Sequence, residues 1–187
     1  MVSLQPVLNW FPRRARPLAL TAEERALLAE FFGPALDLRR LRLWEGGLFA
    51  WGCTRALGNA IYFDPRTQFP ATRRAPESQA LLVHEAVHVW QCQQQGWVYA
   101  VRSLKEQAWA WLQTQSRRAA YQYILQPERP LTAYGVEQQA QLLEDYFRWR
   151  WQGDDRGVRT NCGDFARLGS VRAAALLEAR YQELQRG

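Results

Sequence analysis

Histidine and lysine are almost missing from this chain. Only two histidines occur in 187 residues, and Lys105 is the sole lysine among 24 basic side chains. The three cysteines, Cys53, Cys92 and Cys162, are odd in number and form no C-x-x-C pair. That argues against a disulfide framework and favours a reducing compartment. No apolar run approaches the ~18 residues that a bilayer-spanning helix requires, so no transmembrane segment is expected. The N-terminus has no basic stretch ahead of an apolar one, since Arg13-Arg14-Ala15-Arg16 follows the apolar residues. No Sec signal peptide is therefore expected. The default compartment is the cytoplasm, with non-Sec export as the other route. Repeats and low-complexity tracts are absent.

The net charge of +6 comes from arginines scattered along the chain rather than gathered in a block. Charge of that kind gives non-specific attraction, and nucleic acid is not an expected partner. An apolar content of 48% supplies a core for one domain. Pro6, Pro12 and Pro17 make residues 1–20 an extended arm, which Leu8, Trp10 and Phe11 would pin to the body. Residues 21–187 are expected to form the single domain.

Both histidines fall in His84-Glu85-Ala86-Val87-His88, an H-E-x-x-H pattern. A shuffled chain of this composition produces that pattern about once in 1,500 arrangements. On a helix the two imidazoles lie ~40° apart around the axis and ~6 Å apart along it, placed to grip one metal ion. Glu85 follows beside them, within reach of a proton on metal-held water without being a ligand. Pro76 and Glu77 suit the first turn of a helix and Gly96 suits its end, so the motif sits within a helix over about 77–95. Leu81, His84, His88 and Gln91 share one face of it.

Other elements flank this helix. Thr21 and Glu24 form a capping box for a helix bearing Leu27, Leu28, Phe31 and Phe32, stopped at Gly33-Pro34. Strands are predicted over 40–44, 48–51 and 60–63, with Gly58-Asn59 turning between the last two. Residues 66–75 and 153–157 read as loops. Helices are predicted over 97–113, over about 134–151, and from Ser170 to about Leu184. Residues 119–125 fit either an extended piece or a helix end. Trp109, Trp111 and the run 146–151 bring aromatics and arginines together, as a core or as a groove for peptide, glycan or membrane.

A catalytic zinc site needs a third protein ligand and an open position. No third histidine exists, so the ligand is a carboxylate or a cysteine. Glu137, near the start of the helix over 134–151, is the best placed. Glu144 shares its face as a second ligand candidate or an outer partner, Asp145 and Gln141 are outer partners, and Cys92 lies four residues beyond His88. Three groups of residues together, Phe32–Arg39 with Gly58–Phe63, His84–Gln91, and Glu137-Gln138-Gln139-Ala140, resemble a family of bacterial zincin-like metallopeptidase domains that includes Vgr-related proteins. The resemblance covers roughly residues 21–151. It implies an α+β, gluzincin-like fold, mainly helical with a small N-terminal sheet, with Zn²⁺ held by His84, His88 and Glu137. It also implies a secretion-system partner of the type VI kind.

The expected chemistry is hydrolysis of a peptide or protein substrate, with Glu85 as general base. An oxyanion donor is also needed, and with both histidines acting as ligands it must be a tyrosine, an arginine, an asparagine or the backbone, with Tyr134, Tyr121 and Tyr123 as candidates. Two other functions compete: a metal-holding accessory module without turnover, and a zinc amidase acting on cell-wall material.

Overall fold

The computed structural model describes residues 14–96 and 121–186. The readings for Leu8, Trp10 and Phe11, for the helix over 97–113, and for Trp109 and Trp111 lie outside them. The described part of the arm is extended and contributes β1 (Arg16–Leu18) to a four-stranded mixed sheet. The other strands are β2 (Arg42–Glu45), β3 (Arg55–Leu57) and β4 (Ala60–Phe63), in spatial order β1-β2-β4-β3. β2 and β4 are parallel, while the two outer pairings are antiparallel. Alternation buries Leu43, Ile61 and Phe63 on one face of this small sheet.

Helix α1 (Ala22–Phe32) starts with the predicted capping box. Glu24 N–H donates to Thr21 Oγ1 at 3.1 Å, and Thr21 N–H donates to Glu24 Oε2 at 2.8 Å. Arg73 then pairs with the same Glu24 oxygen at 2.8 Å, tying α1 to the chain that leads into α3. A short α2 (Phe69–Thr72) precedes the long α3 (Pro76–Gln95). Pro76 occupies the first turn of α3. At the other end Gly96, at φ +63°, donates to Cys92 O.

The C-terminal end of α3 is fastened by amides. Gln93 accepts from Asp37 N–H and donates to Asp37 O and Asn59 Oδ1, and Gln94 donates to Ala35 O. Those contacts give a physical role to the N-terminal pieces that carry the family resemblance. They lock the loop after α1 and the β3–β4 turn onto the helix that bears the histidines.

Helix α4 (Val136–Gln152) packs along α3. It is followed by α5 (Arg156–Asn161) and α6 (Phe165–Arg186), whose backbone breaks at Gly169. The aromatic run of α4 serves the core. Phe31 lies at the centre of a ring cluster, with centroids 5.7 Å from Phe147, 5.4 Å from Trp151 and 5.0 Å from Tyr181. Tyr181 Oη donates to Phe31 O at 3.0 Å, which joins α6 to α1.

The molecule is α+β and mainly helical with a small N-terminal sheet, as the zincin-like reading expects. Several local expectations are corrected. Leu48–Ala50 is a 3₁₀ turn after Gly47 (φ +83°), and the third strand is Arg55–Leu57 instead. Leu48, Phe49 and Trp51 have the apolar content of a strand but point mostly to solvent, while the true strand, Arg-Ala-Leu, is too short to show alternation. The stretch 66–75 contains α2, α5 begins inside the predicted loop 153–157, and α4 begins at Val136 rather than at residue 134. Residue 123 is extended, paired in a parallel bridge with Cys162.

Candidate metal centre

Helices α3 and α4 bring together three potential ligands. His84, His88 and Glu137 are all buried, and one ligand atom from each lies within 4.8 Å of the others. Glu137 Oε2 is 3.3 Å from His88 Nε2 and 3.9 Å from His84 Nε2. The corners of a tetrahedron with ~2.0 Å arms are ~3.3 Å apart, so a small inward adjustment seats an ion. Each imidazole also has its far nitrogen engaged. His84 Nδ1 meets Glu144 Oε2 at 3.0 Å, and Glu144 is itself held by Arg148 at 2.8 Å. His88 Nδ1 meets Gln91 Oε1 at 2.9 Å. Both Nε2 atoms are thereby turned toward Glu137, the arrangement in which metal-binding histidines are held.

Glu85 supplies an independent check on that fit. Its carboxylate is buried and accepts a backbone hydrogen bond from Ala56 on β3. Its Oε2 has no hydrogen-bond partner among the described residues. A buried carboxylate oxygen with no donor is costly unless something polar faces it. The residues present therefore suit a metal ion with a polar molecule beside it.

Electrostatics follow from burial and pairing. Burial pulls His88 toward its neutral form, but the nearby Glu137 carboxylate outweighs it and raises the metal-free pKa to about 9. His84 is likewise raised, because Glu144 overcomes its desolvation. Glu85 is raised by burial, against the pull of the two histidines. Glu144 is desolvated too, yet His84 and Arg148 hold it below the usual carboxylate range.

Behind Glu144 lies a second buried acid, Asp145. It accepts from Tyr123 Oη at 2.9 Å, Gln141 Nε2 at 3.0 Å and Asn161 Nδ2 at 3.1 Å. Burial lifts its pKa to about 6 in spite of these donors. Gly157 on α5 sits directly against it, and a Cβ there would collide with Asp145 Oδ1.

The other sequence candidates are placed as follows. Tyr134 is buried, and its hydroxyl donates to Ile124 O at 3.0 Å while accepting from Gln126 N–H. The Tyr123 hydroxyl is taken up by Asp145. Tyr121 is the tyrosine beside the site, its ring centre 6.0 Å from that of His84. Cys92 is outside the cluster of ligand atoms. Sequence reasoning did not find the roles of Gln139, Arg148 and Asn161, although Arg148 at i+4 from Glu144 was a usable signal.

No family model matches the chain. Over 134 residues, 69% of its length, it is 30% identical to the type VI secretion system spike protein VgrG2b of Pseudomonas aeruginosa. Its fold matches the effector domain of Pseudomonas aeruginosa VgrG2b with a TM-score of 0.62 and 28% identity, covering 81% of this chain and 83% of that one. The chain is related to the VgrG2b effector domain. It spans 13% of the length of the whole VgrG2b spike protein. Among the described residues no helix is long and apolar enough to cross a membrane.

Proposed function

We propose that this chain is a zinc-dependent peptidase domain in which His84, His88 and Glu137 hold the ion and Glu85 is the general base. The observation that carries the reading is the partnerless, buried Glu85 Oε2 beside a convergent His₂Glu set. A site serving structure alone has no use for an unligated acid at that point. Two nitrogens and one oxygen with a further position open is a donor set suited to Zn²⁺. When bound, Zn²⁺ supplies Lewis acidity, polarising a carbonyl and bringing the pKa of water toward ~7. Glu85 takes up the proton released by the attacking water and passes it to the leaving amine. In the metal-free chain burial raises its pKa, which favours its holding a proton. Ala56 N–H fixes the carboxylate in place from the edge strand.

Tyr134 serves as oxyanion donor only if its hydroxyl leaves Ile124 O, so Tyr121 beside His84 is the stronger candidate for that role. The engaged Tyr134 hydroxyl also favours the second reading, a metal-holding module without turnover. The kinship with VgrG2b supports delivery with a type VI spike and substrates in the compartment that the spike reaches, either proteins or the amide bonds of cell-wall material.

Glu85→Gln separates these readings. The variant is expected to bind zinc within a few-fold of the parent and to lose peptide hydrolysis by about 10²–10⁴-fold. Retained zinc with unchanged cleavage of a mixed peptide pool refutes the peptidase reading.

A further inference from the structure

Around His88 the hydrogen bonds run in one direction. Gln91, fully buried, accepts from His88 Nδ1 through Oε1 and donates through Nε2 to Val136 O at 3.0 Å and to Gln139 Oε1 at 2.9 Å. Gln139, also buried, donates through Nε2 to Tyr134 O at 2.8 Å. Val136 O and Tyr134 O are backbone carbonyls and can only accept. Each therefore demands the nitrogen end of its glutamine, which leaves the oxygen end of Gln139 for Gln91 and the oxygen end of Gln91 for His88. Neither amide can flip without setting oxygen against oxygen in a place that water does not reach.

We infer that Gln91 and Gln139 are positioning residues: an uncharged relay, anchored on two carbonyls of the chain entering α4, that keeps the proton of His88 on Nδ1 and its Nε2 lone pair toward the metal. The inference rests on the metal site proposed above. It explains why Gln91 lies three residues after His88 and Gln139 two after Glu137. Two of the hydrogen bonds in the relay, from Gln91 to Val136 O and to Gln139 Oε1, also tie α3 to the first turn of α4, where Glu137 is. Orientation of the second ligand and the distance to the third are thus set by one device.

The relay makes an expectation opposite to the usual one. A carboxylate behind a metal-binding histidine ordinarily strengthens the ligand. Here Gln91→Glu would place an acceptor against Val136 O and Gln139 Oε1, with no hydrogen to give either. Zinc affinity of the metal-stripped full chain, measured by calorimetry, is therefore expected to fall about 10–100-fold in Gln91→Glu, and by a similar factor in Gln91→Met, which keeps the volume and loses the relay. In the zinc-loaded parent, ¹H–¹⁵N correlation of labelled histidine is expected to show a protected proton on His88 Nδ1 and none on Nε2. Gln91→Met is expected to leave that proton exchanging rapidly.

Zinc bound as tightly by Gln91→Glu as by the parent, or a His88 Nδ1 proton that exchanges as rapidly in the parent as in Gln91→Met, overturns the relay while leaving the metal site intact. A parent chain that binds no zinc overturns the metal site and the relay together. Because zinc on Nε2 by itself places the proton on Nδ1, the deciding readout is the slow exchange of that proton in the parent, which is measurable even if Gln91→Glu does not fold.

Discussion

The two histidines are held by unlike means. His84 backs onto a charged network, Glu144 with Arg148, and beyond it a second acid, Asp145. His88 backs onto two neutral amides and two backbone carbonyls. Both arrangements fix a ring, but their demands differ. The charged side must balance a desolvated carboxylate against nearby cations. The amide side carries no charge to balance and depends on every hydrogen having one acceptor. A metal site can therefore be tuned electrostatically through one imidazole and held geometrically through the other.

The comparison can be broken from either end. The largest effect is expected at Asp145, deepest on the charged side. Below about pH 4 this acid is protonated in both folded and unfolded chains and contributes nothing. Between about 4 and 6 the unfolded chain has given up the proton while the folded chain retains it, so stability falls as pH rises. Above 6 both are ionised and the loss levels off. The distance from 3.8 to about 6 makes that loss about 3 kcal/mol. Denaturant midpoints of the metal-stripped protein, measured from pH 4 to 7, should show the decline, and Asp145→Asn should remove it.

Next comes Glu144→Gln, which converts the charged partner of His84 into an amide like that of His88. Arg148 loses its counter-charge while Gln141 keeps Asp145 as acceptor, and zinc affinity is expected to weaken about tenfold. Calorimetry showing no change would mean that the charge on this side does nothing for the ion. The smallest effect belongs to a site remote from both histidines. Thr21→Ala breaks the capping box of α1 and should cost about 1 kcal/mol in thermal or denaturant unfolding, with zinc affinity unchanged.

Local signals proved legible and long-range ones did not. Thr21 and Glu24 announce α1 because both halves of the capping box lie within one turn. Pro76 and Gly96 bracket α3 for the same reason, and the single H-E-x-x-H pattern marks the face on which His84 and His88 meet Glu137. The meeting of Glu137 with the histidines was also within reach, since a missing third ligand leaves few acids to choose from and the family resemblance points to one. Strand β3 was missed because three residues cannot display alternation, and its place is fixed by pairing with β4. Gln91 was visible on the histidine face, but its function depends on Val136 O and Gln139, 45 and 48 residues away. Asp145 draws its donors from three separate segments, and nothing within a window around it distinguishes it from a solvated helix charge.

Gly157 extends that lesson to a residue with no side chain. It belongs to the short α5, which contributes no metal ligand, yet its bare Cα forms the ceiling over Asp145. From Asp145 the hydrogen bonds step through Gln141 and Glu144 to His84. Adding one methyl group at position 157 would press on the far end of that chain, so a glycine in a short helix works as a spacer for the hydrogen bonds that back the candidate metal centre.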